Sequence, residues 1–191
     1  LSTGSKKIKT AVFISGTGSN LNSLIKFSKL KKSPISIELI ISDNLKSKGL
    51  IFGEIYKIKK KVFNFKKKAR AENEILFKLK KNKIDMICLA GFMKILSKNF
   101  ILKFKGQILN IHPSLLPKYK GLNTHEKAIK NKDIYSGCTV HFVNSKLDSG
   151  KIILQKKVKI KQDDTPSSLA KRILAQEHKL YPKAILKVSN L

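Results

Sequence analysis

Ile8-Lys9-Thr10-Ala11-Val12-Phe13-Ile14-Ser15-Gly16-Thr17-Gly18-Ser19-Asn20 is the stretch that decides the fold. Residues 8–15 read as a buried strand and Gly16–Asn20 as a glycine turn. Asn20–Leu30 follows as a helix, because Leu21, Leu24, Ile25 and Phe27 recur at helical spacing. A strand that turns directly into a helix is the opening of an alternating α/β chain.

Outward from that stretch the alternation continues. Pro34 ends the helix and Ile35–Ser42 is the second strand. Lys46–Tyr56 is expected to be helical, Lys61–Phe65 a short third strand, and Arg70–Lys81 a helix with Ile75, Leu76 and Leu79 on its apolar side. Asp85–Ala90 is the apolar run expected of a strand whose two faces are both covered by helices. After the Gly91-Phe92 turn come a short helix near Ser97–Phe104, a strand at Gln107–Ile111 and a helix at Thr124–Asn131. Two later strands, Gly137–Val143 and Lys151–Ile160, precede a helix that Thr165-Pro166 opens and that runs to about Lys187. Without repeats or linkers, this pattern predicts one doubly wound α/β domain over 1–191, its sheet mostly parallel with helices on both faces. Residues 1–7 are expected to be a disordered tail or a cloning remnant. In such sheets ligands sit beyond the carboxyl ends of the strands, where residues 16–20 and 110–117 both fall.

Composition excludes more than it assigns. The chain has 191 residues and a hydrophobic fraction of 41%, ordinary for a globular domain. No apolar run approaches the roughly 18–20 residues needed to span a bilayer. Cys88 and Cys138 make neither a disulfide framework nor a metal knuckle, which suits a reducing cytoplasm. The net charge of +29 invites a nucleic-acid reading, yet only Arg70 and Arg172 among the 41 basic residues are arginine. Arginine is the residue favoured for bidentate recognition of phosphates and bases. Lysines dispersed from Lys6 to Lys187 fit a solvated surface better, and no nucleic-acid or membrane partner is expected.

Gly16-Thr17-Gly18-Ser19-Asn20, between strand and helix, suits a phosphate, because small residues let backbone amides close on an anion at a helix start. Asp43 after the second strand also fits a dinucleotide site, but Leu21 stands where the third glycine belongs. An ordinary glycine turn is the third reading. The second motif is Asn110-Ile111-His112-Pro113-Ser114-Leu115-Leu116-Pro117, followed later by Leu147-Asp148-Ser149-Gly150. An amide, an imidazole and a carboxylate suit acyl transfer to an amine: donors for an oxyanion, a proton carrier, and a charge that orients it and favours the imidazolium. Ser114 lacks the context of a nucleophile. His141 alternates with Val140 and Phe142, so it lines a pocket or packs. His112, His141 and Asp148 lack a recognisable zinc spacing, so no metal is expected.

At these residues the chain resembles the folate-dependent formyltransferases, and in particular the branch whose acceptor is phosphoribosylglycinamide. The resemblance runs from Lys9 to about Ala184. It rests on Ile14–Leu21, Leu89–Leu96, Asn110–Pro117, Val140–Val143, Leu147–Gly150 and Gln176–His178, in that order. It implies transfer of the formyl group of 10-formyltetrahydrofolate, a co-substrate, to the amino group of 5-phosphoribosylglycinamide in de novo purine biosynthesis. It further implies that Asn110, His112 and Asp148 are catalytic, with His112 the proton donor. The phosphate falls on Gly18, Ser19 and Asn20, with Glu177 near the ribose. Folate falls on Met93, Lys94, Ile95, Leu96 and Asn110, with Arg70 preferred over Lys68 as a further basic contact. The family's usual arginine is Lys94 here, and Lys120 and Asn123 replace a common proline and histidine. A monomer or homodimer acting on small molecules is expected.

The alternatives are related. Methionyl-tRNA formyltransferase shares the Ser-Leu-Leu-Pro loop but carries a further C-terminal domain. Formyltetrahydrofolate hydrolase shares the Asn–His–Asp set but carries an extra N-terminal domain. A basic nucleic-acid-binding module would need none of His112, Asp148 or Asn110.

Overall fold

The computed structural model describes residues 6–189, so the expectation for residues 1–7 falls largely outside the described residues. Among them are seven strands and six α-helices. The chain folds as two compact units, one ending at Leu109 and one beginning at Asn110.

The first unit holds β1 (Ile8–Ile14), α1 (Ser19–Ser28), β2 (Ile35–Ser42), α2 (Ile51–Ile55), β3 (Lys59–Val62), α3 (Lys68–Lys81), β4 (Met86–Leu89) and α4 (Lys98–Lys103). Its strands lie in the order β3-β2-β1-β4, every pair parallel. Ala11, Val12, Phe13 and Ile14 are consecutive and fully buried, and all four residues of β4 are buried. Successive side chains point to opposite faces of a strand, so such runs require cover on both sides of the sheet. Leu21, Leu24 and Ile25 of α1 face the core as their spacing predicts, and Phe27 is half-buried.

Two elements depart from expectation. The helix expected over Lys46–Tyr56 is reduced to a 3-10 turn at Lys48–Leu50 followed by the five-residue α2. Upstream of it, the Ser47 hydroxyl and the Gly49 amide both donate to the Gly16 carbonyl, at 2.7 and 3.0 Å, so that backbone braces the glycine turn. The third strand lies at Lys59–Val62 rather than Lys61–Phe65. Its register on Leu39–Ser42 of β2 ends at Val62, and Phe65–Lys67 is a 3-10 turn capped by the Asn64 side chain.

β5 (Gln107–His112) carries the chain across the boundary. The second unit then holds α5 (Thr124–Lys130), β6 (Tyr135–Phe142), β7 (Ile152–Lys159) and α6 (Pro166–Ser189). β6 and β7 pair antiparallel from Tyr135↔Lys159 to His141↔Ile152. α6 packs on both and on α5, burying Leu169, Ile173, Tyr181, Ala184 and Ile185. Its start is the expected one: Thr165 Oγ1 accepts from the Ser168 amide at 3.1 Å and Ser168 Oγ from the Thr165 amide at 3.0 Å.

Candidate active site

In the first unit the glycine turn closes β1 onto α1. Gly18 has φ +74° at the helix N-cap, and a Cβ there would meet the Gly49 backbone at 2.6 Å. Glycine at 18 therefore serves the backbone and the crossing of two loops. No side chain caps the ten-residue α1, so its first amides are left to other partners. Ser19 is half-buried and Asn20 buried at this end.

Asp43, the candidate ribose acid of the dinucleotide reading, is engaged elsewhere. Its Oδ1 accepts from Ser15 Oγ, its Oδ2 stands 3.7 Å from Lys94 Nζ, and Ser15 Oγ accepts the Met93 amide at 2.8 Å. This relay pins the irregular segment after β4. In that segment Met93 and Ile95 are 61% and 60% exposed while Leu96 is buried, so two apolar side chains face outward. Arg70 lies on α3, paired with Glu74 at 2.9 Å with its side chain 75% exposed.

In the second unit the structure brings Asn110, His112 and Asp148 together. β5 delivers the first two at its C-terminal end, and the turn between β6 and β7 delivers the third. His112 Nδ1 lies 3.4 Å from Asp148 Oδ2, and Asn110 Nδ2 lies 3.4 Å from Asp148 Oδ1. The other ring nitrogen, His112 Nε2, is 2.8 Å from the Tyr119 carbonyl oxygen. Both nitrogens thus face oxygen atoms. Asp148, with a side chain 8% exposed, also accepts the Gly121 amide at 2.9 Å. Burial pushes its carboxyl up, but the hydrogen bonds it accepts, the Gly121 N–H among them, and the neighbouring His112 hold it below the usual carboxylate range.

The loop after His112 is braced from β6 and β7. Thr139 Oγ1 donates to the Ser114 carbonyl at 2.6 Å and accepts the Leu116 amide at 3.1 Å, and Gln155 donates to the Leu116 carbonyl at 2.8 Å. Ser114 is buried with its hydroxyl donating to the Lys118 carbonyl, so it is no nucleophile here. The Leu116–Pro117 peptide is cis. Lys120 reaches Ser149 at 2.7 Å, and Asn123 is the left-handed N-cap of α5. Glu177 is buried on α6, and its charge, with burial the larger cause, pushes the Cys138 thiol up to about 12.

Sequence reasoning left His141 undecided and missed Thr139, Gln155 and the Tyr119 and Gly121 backbone. His141 is buried, with Nε2 3.2 Å from Asn110 Nδ2 and Nδ1 2.8 Å from the Phe142 carbonyl oxygen. Its place two residues after Thr139 on one strand was the available signal. No group of three His, Cys, Asp or Glu side chains arranged to hold a metal ion occurs among the described residues. No helix among them is long and apolar enough to cross a membrane.

A family model described as formyl transferase matches residues 8–185. The chain is 43% identical over 188 residues to the trifunctional purine biosynthetic protein adenosine-3 of Homo sapiens, covering 97% of this chain but 19% of that one. It thus spans 14–19% of the length of the trifunctional relatives it matches. It is 42% identical over 180 residues to the phosphoribosylglycinamide formyltransferase of Haemophilus influenzae, covering 93% of this chain and 85% of that one. The crystal structure of phosphoribosylglycinamide formyltransferase from Anaplasma phagocytophilum superposes with a TM-score of 0.91 at 42% identity, over 97% of this chain and 88% of that one.

Proposed function

From the premise that this chain belongs to the formyl transferase family, we propose that it transfers the formyl group of 10-formyltetrahydrofolate to the amino group of 5-phosphoribosylglycinamide, a step of purine biosynthesis. The observation that carries the reading is the convergence of Asn110, His112 and Asp148 around one buried carboxylate. The substrate amine attacks the formyl carbon and the carbonyl electron pair moves onto oxygen. The Asn110 amide and the His112 ring hold that oxyanion; its electron pair then re-forms the carbonyl as the bond to folate N10 breaks, N10 taking a proton from His112 and the attacking nitrogen giving one up to restore it. Asp148 orients His112 and balances its charge. The substrate amine is itself the nucleophile, so none is required from the protein.

Gly18, Ser19 and Asn20 take the phosphate at the α1 N-terminus, with Glu177 toward the ribose. Met93, Lys94, Ile95 and Leu96 take the folate, with Asn110 and the basic Arg70. Met93 gives its own amide to Ser15, so the backbone groups that read the pterin lie at the residues after it. The protein acts in the cytoplasm on small molecules as a monomer or homodimer, with no nucleic-acid partner and no metal.

The test is a spectrophotometric assay for folate product, with and without the phosphorylated amine. Product only with the amine is expected, and His112→Ala or Asp148→Ala should each reduce kcat by at least about a hundredfold with the fold intact. Product without the amine would make the protein a hydrolase. Wild-type rates in either alanine variant would end the assigned roles.

A further inference from the structure

We propose that His141 is a positioning residue that acts through Asn110, a role resting on the formyl-transfer reading above. The argument is one of donors and acceptors. His141 Nδ1 lies 2.8 Å from the Phe142 carbonyl oxygen, which only accepts, so Nδ1 carries a hydrogen. In the neutral ring Nε2 is then a lone pair. The group 3.2 Å from it is the Asn110 side-chain amide, which must present its NH₂ end there. The second hydrogen of that NH₂ leans toward Asp148 Oδ1 at 3.4 Å. One chain of partners, from the Phe142 carbonyl through His141 to Asn110, thus settles which end of the amide faces the carboxylate.

A charged ring would place its hydrogens differently. An imidazolium at 141 would aim Nε2–H at Asp148 Oδ1, 3.7 Å away, or at a reversed Asn110 amide. Reversal sets the Asn110 oxygen against the Asp148 oxygen, two acceptors with no hydrogen between them. The two Asn110 contacts also differ in strength. The 3.2 Å bond to His141 anchors the amide, while the longer one to Asp148 is the hydrogen that a developing oxyanion can take over. His141 touches no reacting atom in this scheme. It keeps the NH₂ pointed, and without it the amide is free to turn and offer oxygen to oxygen.

The test combines a double-mutant cycle with a ring measurement. Asn110→Ala should lower kcat about a hundredfold. His141→Leu, which removes the acceptor at similar volume, should lower it by about tenfold or more with both KM values within about twofold. His141→Gln, whose amide oxygen reaches the Nε2 position, should recover to within about threefold of wild type. In the Asn110→Ala background His141→Leu should cost no more than about a further twofold, because the two act as a unit. Full additivity, or wild-type kcat in His141→Leu, would overturn the proposal. Long-range nitrogen–proton NMR of the wild-type histidine rings should find His141 protonated at Nδ1 and bare at Nε2 at neutral pH. An Nε2–H or doubly protonated ring would overturn it equally. That measurement is independent of turnover, so failure here and failure of the formyl-transfer reading are told apart.

Discussion

A Cβ at Gly150 would stand 1.7 Å from the Phe142 carbonyl oxygen, so the last residue of Leu147-Asp148-Ser149-Gly150 is glycine for steric reasons. That contact presses the turn onto the end of β6, two residues from the Asp148 side chain that faces His112 and His141. Gly150→Ala should therefore cost about 3 kcal/mol, as forced overpacking against backbone does, and lower activity by displacing Asp148. Urea midpoints check the first effect, and an unchanged midpoint would mean that the turn gives way freely. Asp148 has its own signature. A carboxyl held below its usual range lends stability that is fully present above about pH 4, the unfolded value, and is lost as pH falls through the folded one. The stability advantage of wild type over Asp148→Asn should therefore shrink as pH falls from about 5 to below the ordinary carboxylate value. Paired denaturation series across that range would detect it, and a constant gap would mean that the folded carboxylate gains nothing from its neighbours.

At the scale of elements, α1 offers its N-terminus without a side-chain cap. Ser19→Asp would place a carboxylate in that first turn. It should leave stability unchanged or raise it by about 0.3–1 kcal/mol through the helix dipole. The same charge should raise KM for the phosphorylated amine by about tenfold or more, with kcat little altered. Opposite signs for stability and KM separate an anion site from an ordinary glycine turn, and an unchanged KM would move the phosphate elsewhere. The elements legible in sequence are those whose side chains explain them. β2 lies at Ile35–Ser42 as expected, because Pro34 and the polar Asp43-Asn44 bound an apolar run. β3 was misplaced because Lys59-Lys60-Lys61 carries no apolar signal and its position is set by register against Leu39–Ser42. Phe65 mimics a strand residue but opens a 3-10 turn. The site divides the same way. Asn110, His112 and Asp148 were legible from residue type at a strand end or turn. The Tyr119 carbonyl and Gly121 amide were not, since every residue carries those groups. His141 was half-legible: its strand was evident, while its tautomer depends on a carbonyl that only the fold supplies.

Over the whole molecule, 12 acidic residues face 41 basic ones, so most of the lysines have no acidic residue left to pair with. Where pairs do form, as between Lys118 and Asp133 or Arg172 and Asp164, they consume carboxylates already few in number. The remaining excess repels itself and disfavours the folded state. It also creates a positive field that would favour capture of the anionic substrates proposed above. These two consequences respond to salt with opposite benefit, because the screening length shortens from about 10 Å at 0.1 M toward about 3 Å at 1 M. Raising NaCl from about 0.05 to about 0.5 M should relieve around 1–2 kcal/mol of repulsion, lifting Tm by about 3–6 °C for a chain of this size. Over the same range KM for both anionic substrates should rise while kcat holds, since the contact between His112 and Asp148 is buried. Calorimetry and steady-state kinetics in matched buffers measure the two together. A Tm that falls with salt would show that the lysines are held in favourable pairs. A KM indifferent to salt would leave the +29 charge with no part in substrate capture.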